Sequence, residues 1–304
     1  MRKRRFFKKL GQDLGWWALR AIYQSTRRAS LEQLRRRAER LGGLAYRWVG
    51  SRRRLMQANL RLILPEASAE QIDRIARQTV QNIFQGLLDL FYLCWHLEEA
   101  PKLVELHVSP RAEEAIRSER GIVAATGHLG LFPLVIFPHN WQGRPCAAMV
   151  KDPHDVRVAR FLSELRAQAG VGSINHQPPT TAARKTVGLL QRRGVVLFAF
   201  DLYPGKAESV EVNFLGRRTR MFSAPVRFAA RVGAVIVPSY VIKRSEGIGY
   251  EVHLEDPIHV PAVAGRRESP VTVELVQQLA DWIAEKIRAY PDQWWSIHRR
   301  WRKE

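Results

Sequence analysis

The longest weakly polar run of the chain, Gly121 to Pro138 (GIVAATGHLGLFPLVIFP), carries a single ionisable residue, His128. Ile122 to Ala125 reads as a short buried strand, Thr126-Gly127 breaks it, and Leu129 to Phe137 reads as an apolar helix. A histidine at such a strand-to-helix turn, with Gly127 and Gly130 close by, lets backbone amides and a side-chain base face one reacting centre. The plainer alternative is a structural histidine closing a core strand. A second ionisable residue sits in the same kind of place: Asp201 follows the apolar strand VVLFAF and precedes Leu202-Tyr203-Pro204-Gly205. Ligands of open α/β sheets bind beyond the carboxyl ends of the strands, so His128 and Asp201 are expected to share one crevice. There a carboxylate fixes the imidazole tautomer or positions a substrate group; otherwise Asp201 merely starts a turn.

The chain also offers cationic candidates. Gly216-Arg217-Arg218-Thr219-Arg220 reads as a basic loop ahead of a helix that Ser223 caps, with Pro225 in its first turn and Gly233 at its end. Guanidinium groups such as Arg218 and Arg220 beside a helix N-terminus suit a phosphate. Lys151 at a strand end and Arg166 in the next helix are further candidates. The closing stretch PDQWWSIHRRWRKE mixes Trp294, Trp295 and Trp301 with His298, Arg299 and Arg300; it reads as an interfacial rim or as a packed cap.

These residues need a scaffold, and the pattern from about residue 103 supplies one. Strands are expected at Leu103–Val108, Ile122–Ala125, Pro145–Val150, Val195–Phe200, Ala234–Ile242 and Tyr250–Leu254, with Val210–Phe214 extended. Helices fall between them at Arg111–Ser118, His154–Ala169, Thr180–Arg193, Ser223–Arg231 and Val271–Tyr290. Strands separated by helices predict an α/β fold with a largely parallel or mixed central sheet flanked by helices. Residues 1–100 are read as a basic amphipathic helical region and residues 101–304 as the α/β domain.

The charge is uneven. The chain carries a net +20, of which residues 1–54 contribute +14 through seventeen Lys and Arg against Asp13, Glu32 and Glu39. A folded body with a basic N-terminal face predicts a polyanionic partner. Leu10, Leu14, Trp17 and Ala21 recur at helical spacing, flanked by Trp16 and Tyr23, which suits the headgroup layer of an anionic membrane. Residues 30–64 continue as helix, and 69–97 form another, whose Leu88, Phe91, Tyr92 and Trp95 pack on the domain or dip into lipid. No stretch makes a convincing membrane span. Nucleic acid is not expected, because no recognition helix, RRM, KH or zinc pattern accompanies the charge. Cys94 and Cys146 read as buried free thiols. No Cys/His ligand spacing or Gly-rich phosphate loop occurs, so neither metal nor cofactor is expected.

Taken in order, the basic amphipathic N-terminus, TGHLG, DLYPG, VNFLGRRT, SAPVRFAARVGAVIVP and PDQWWSIHRRW resemble bacterial lipid A biosynthesis acyltransferases of the lauroyl/myristoyl class. They also resemble the relatives that acylate phosphatidylinositol mannosides. The resemblance covers roughly residues 10 to 302. It implies a glycerolipid acyltransferase-like fold on the cytoplasmic face of a bacterial inner membrane. The implied reaction moves a fatty acyl chain from an acyl carrier protein or coenzyme A thioester to a hydroxyl of a phosphorylated glycolipid or a lysophospholipid. The family's mark is a His followed, after four residues, by Asp or Glu, the His taking the hydroxyl proton. Here the pattern begins at His128, but the fifth residue on is Pro133. Asp201 is the expected substitute acid, and Asp89 a poorer one. The alternative is a relative that binds a lipid or a partner without catalysis.

Overall fold

The computed structural model describes residues 2–204, 208–266 and 269–301. Four helices come first: α1 (Arg2–Thr26), α2 (Leu31–Trp48), α3 (Gly50–Ile63) and α4 (Ala69–Trp95). Two of them start on the same device. Ser30 accepts from the Gln33 amide while the Gln33 side chain returns to the Ser30 amide, and Ser68 and Gln71 repeat the exchange. Each box satisfies orphan amide donors, and an N-cap of this kind stabilises by about 1 kcal/mol. The single helix expected over 30–64 is broken at Val49, whose φ −90° and ψ 47° leave the helical region. Helices α2 and α4 meet closely at Gly42, where a Cβ would sit 2.7 Å from the Cα of Gln81.

The α/β part continues with α5 (Ala100–Leu103), β1 (Val104–Val108), α6 (Pro110–Arg117), β2 (Ile122–Thr126), β3 (Cys146–Val150), α7 (Val156–Gln168), β4 (Val171–Asn175), α8 (Pro179–Gln191) and β5 (Val195–Ala199). Then come β6 (Ser209–Phe214), β7 (Arg217–Phe222), α9 (Ala224–Val232), β8 (Val235–Lys243), β9 (Tyr250–Leu254), β10 (Ile258–His259) and α10 (Pro270–Ala289). The central sheet runs β1-β9-β8-β2-β5-β3-β4, with β10 on β8. Along that path β8–β9 is the antiparallel pair and the others are parallel, so the predicted mixed, mostly parallel α/β sheet is what forms. Strand β2 lies at its centre with all five residues buried, as expected for a parallel strand covered on both faces. The N-terminal helices contribute Leu34, Ala38, Leu88 and Leu93 to the same apolar cluster as Ile122, Ala124 and Val237.

Three further sequence expectations differ from the structure. The apolar stretch after His128 is not an α-helix: it makes short 3-10 turns at Phe132–Ile136 and Pro138–Trp141. Gly130 has φ +55°, and a Cβ there would lie 2.2 Å from the Val241 carbonyl oxygen, so only glycine fits. Pro133 then withholds a backbone donor. Carbonyls that an α-helix would have paired are met by side chains instead, Asn140 Nδ2 on Leu134 and Trp141 Nε1 on Val135, both at 2.7 Å. Second, Arg217–Arg220 is not a loop but part of β7, paired antiparallel with β6. Leu215 and Gly216 both have positive φ, the geometry of a tight two-residue hairpin turn. Ser223 precedes α9 without capping it through its side chain; its hydroxyl donates to the Glu208 carbonyl at 3.4 Å. Third, β4 has no counterpart in the sequence reading, because VGSIN buries just Val171 and Ile174.

Tyr23 anchors α1, stacking on Trp95 at 4.5 Å and meeting Phe91 and Phe161 edge-on. The opposite stripe faces out: Leu10 is 44%, Leu14 63% and Trp17 67% exposed. Leu88, Phe91 and Tyr92 of α4 are buried against the body. Among the described residues no helix is long and apolar enough to cross a membrane.

Candidate active site

Strands β2 and β5 are parallel neighbours in register, Thr126 opposite Ala199. His128 and Asp201 each follow two residues later, so the sheet brings residues 73 apart in the chain to adjoining strand ends. The His128 Nδ1 and Asp201 Oδ1 lie 2.6 Å apart, and the His128 backbone N–H donates to the same oxygen at 3.1 Å. The other carboxylate oxygen, Oδ2, accepts from Trp294 Nε1 at 3.0 Å. Asp201 is wholly buried, while the His128 side chain retains 15% exposure.

Burial alone would push the Asp201 carboxyl up. The imidazole charge and the hydrogen bonds from His128 and Trp294 outweigh it and hold the carboxyl down to about 2. An ionised Asp201 on Nδ1 assigns the ring proton to that nitrogen, which leaves Nε2 as the proton acceptor.

The segment after α10 closes over this turn as the packed cap. Leu129 and Trp294 form an antiparallel bridge, Gly130 N–H donates to the Gln293 carbonyl at 2.9 Å, and Trp295 N–H to the His128 carbonyl at 2.9 Å. Trp295 Nε1 reaches the Gly130 carbonyl at 3.2 Å. Asn59 of α3 secures the far end, its amide donating to the carbonyls of Ser296 at 2.7 Å and His298 at 2.9 Å. The imidazole of His128 therefore sits among Phe132, His298 and Trp295, at centroid distances of 4.7, 5.6 and 6.2 Å. Burial, with the nearby His128 charge, lowers His298 below the usual histidine range.

Arg300 is fully buried behind the pair. Its Nη1 donates to Thr219 Oγ1 at 2.8 Å and its guanidinium lies 4.7 Å from the Phe214 ring centroid. Burial lowers it to about 10, with Asp201 and Tyr203 acting in the opposite direction, so it remains a cation at neutral pH.

The other candidate cations have settings of their own. Arg218 and Arg220 both pair with Glu211 across the β6–β7 hairpin, at 2.9 and 3.0 Å, and Arg220 also donates to Ser209 Oγ at 2.9 Å. Arg166 is half-buried and donates to Ser173 Oγ at 2.7 Å, tying α7 to β4. Lys151 stands exposed just beyond β3. Asp89 is buried with Tyr250, whose hydroxyl donates to it at 2.5 Å, and burial raises its carboxyl to about 6. Pro133, where the acid of the His-x4-acid pattern would stand, lies in the 3-10 turn, and Asp201 from the neighbouring strand meets the imidazole instead.

A mixed α/β sheet holds a histidine at one strand end against a buried carboxylate at the next, an arrangement chemically suited to a general base. Comparison with known proteins gives the family. The family described as bacterial lipid A biosynthesis acyltransferase matches residues 4–303, and the chain belongs to that family. It is also similar to the phosphatidylinositol mannoside acyltransferase of Mycobacterium tuberculosis, 32% identical over 92 residues, 30% of this chain and 26% of that protein. The protein of the same name from Mycolicibacterium smegmatis is 30% identical over 92 residues, 30% of this chain and 27% of its own length. The matched part thus spans about a quarter of these relatives.

Proposed function

We propose that the protein transfers a fatty acyl group from a thioester donor, acyl carrier protein or coenzyme A, to a hydroxyl of a phosphorylated glycolipid. Nε2 of His128 takes the hydroxyl proton as the oxygen attacks the thioester carbonyl. The tetrahedral intermediate collapses with cleavage of the C–S bond, and the imidazolium returns its proton to the departing thiolate. Asp201, already ionised, holds the ring in the required tautomer and offsets the charge that develops on it. The observation that carries this reading is the 2.6 Å contact between His128 and Asp201, with both carboxylate oxygens occupied.

The surroundings support a lipid substrate. Phe132 and Trp295 meet edge to face at 5.5 Å beside the imidazole and offer an apolar wall to an acyl chain. The outward stripe of α1, together with Leu41, Leu44 and Trp48 of α2, lies on the strongly basic N-terminal region and suits an anionic membrane surface. These features support, as part of the same proposal, a site of action on the cytoplasmic face of a bacterial inner membrane. Lys151 is exposed beyond the end of β3, and Arg218, with one N–H group on Glu211, keeps other donors for a phosphate.

The test is transfer of radiolabelled acyl groups from acyl carrier protein and from coenzyme A to glycolipid acceptors. His128→Ala is expected to abolish it. Equal transfer by wild type and variant rejects the mechanism, and mass spectrometry of the product identifies acceptor and chain length.

A further inference from the structure

A second cluster of ligating side chains lies on the sheet, away from the His128 turn. Strands β1 and β9 are parallel and in register, with Glu105 opposite Glu251 and His107 opposite His253. Because alternate residues of a strand share a face, these four make a two-by-two grid on one side of the sheet. Strand β1 is the sheet's edge, and β9 and β8 separate it from β2 and the His128 turn.

The grid is tightly arranged. The two imidazoles stack at 4.5 Å with planes 9° apart, and Tyr240 of β8 continues the stack at 4.5 Å from His253. His107 Nε2 lies 3.1 Å from Glu105, and His253 Nε2 lies 3.1 Å from Glu251. Two carboxylates directly opposed on paired strands repel each other. Arg244 answers one of them, at 3.2 Å from Glu105. Glu251 has no such cation: its partner among the described residues is His253. Lys286, which lies 5.3 Å from the centroid of the Tyr240 ring, is committed to Glu255 at 3.0 Å and Glu285 at 3.2 Å.

We propose that His107, Glu251 and His253 form a binding site for a divalent ion of the zinc type. The ligand atoms of these three lie within 4.8 Å of one another. Bond lengths of ~2.0–2.2 Å put tetrahedral ligands roughly 3.3 Å apart, so capture requires the two stacked rings to turn and open until their in-plane lone pairs converge. Two imidazoles and one carboxylate are the donor set such an ion favours, with the remaining position left to water. An open groove lined by His107, Ser109, His253, Glu255 and Asp256 gives a hydrated ion access. Glu105 then stays with Arg244. The ion bridges β1 to β9 and cancels the unmatched charge of Glu251, so it fastens the edge strand of the sheet.

The test uses the full chain without a histidine tag, stripped with chelator and titrated with Zn2+ by calorimetry. One equivalent per chain is expected, with a higher thermal midpoint in Zn2+. His107→Gln and His253→Gln should each weaken binding by about tenfold or more, since even outer-sphere changes at such sites cost that much. The double variant should show no thermal shift with Zn2+. Should a histidine variant not fold, Glu251→Gln and the visible spectrum of the Co2+-loaded wild type decide: a tetrahedral spectrum absent from Glu251→Gln supports the site. No uptake by the wild type overturns the proposal, as does uptake unchanged in the variants, which would place the ion elsewhere.

Discussion

Trp294 donates its indole N–H to Asp201 at 3.0 Å, on the carboxylate oxygen that His128 does not use. The aspartate is thus held from both sides: one oxygen faces the imidazole, and the other is fixed by a side chain that arrives 93 residues later in the chain. A buried carboxylate with both oxygens satisfied keeps its charge and its orientation together.

Asp201→Asn should leave the fold intact and reduce turnover by about 10² or more; loss of the orienting acid in a Ser-His-Asp triad costs about 10⁴. Steady-state kinetics with the thioester donor measures this. A rate within twofold of wild type would remove Asp201 from the mechanism.

Trp294→Phe preserves the ring and deletes one donor. The stranded oxygen should cost ~1–3 kcal/mol of stability. In the proposed mechanism Trp294 acts as a positioning residue, so kcat should fall by about tenfold with little change in KM. Urea unfolding read beside kinetics separates the two effects, and a stability loss with unchanged kcat would make Trp294 merely structural.

Acid should weaken the fold through the same carboxylate. Folded Asp201 titrates at about 2, whereas an unfolded aspartate titrates near ~3.9. Its contribution is complete above the unfolded value and is lost as pH falls through that window to the folded one, amounting to ~2–3 kcal/mol. The wild-type advantage over Asp201→Asn in urea midpoint should therefore shrink between about pH 4 and pH 2. A constant difference would mean the carboxylate is not depressed.

Leu14 and Trp17 are exposed on α1, so replacing both with Ala should change stability by only ~0.5 kcal/mol or less. Cosedimentation with anionic vesicles should nonetheless fall several-fold, and residual binding should vanish at high salt. Undiminished binding would assign the membrane contact to another surface.

Much of the sheet was legible because its strands are short apolar runs between helices with clear ends: Tyr250–Leu254 carries its own bounds, and Gly233 closes α9 in the left-handed conformation. His128 and Asp201 were legible as a pair because each ends such a run. Their partners were not. Trp294, His298 and Asn59 reach the site through packing between distant segments, and no local pattern records that. The hairpin was misread as a loop because Leu215 is an unusual residue for a positive φ. The helix expected after His128 failed where Gly130 and Pro133 outweighed apolar content. The grid on β1 and β9 is hidden in the sequence for a related reason: His107 and His253 are neighbours only through strand register.

The closing segment has a temporal consequence. Residues 293–300 are synthesised after every other part of the site, yet they supply the indole on Asp201 and the backbone clasp on the His128 turn. A nascent chain that has already exposed His128 and Asp201 holds both without their clamp. The His128–Asp201 pair therefore acquires its clamp only after this segment is translated, late and apart from the assembly of the sheet.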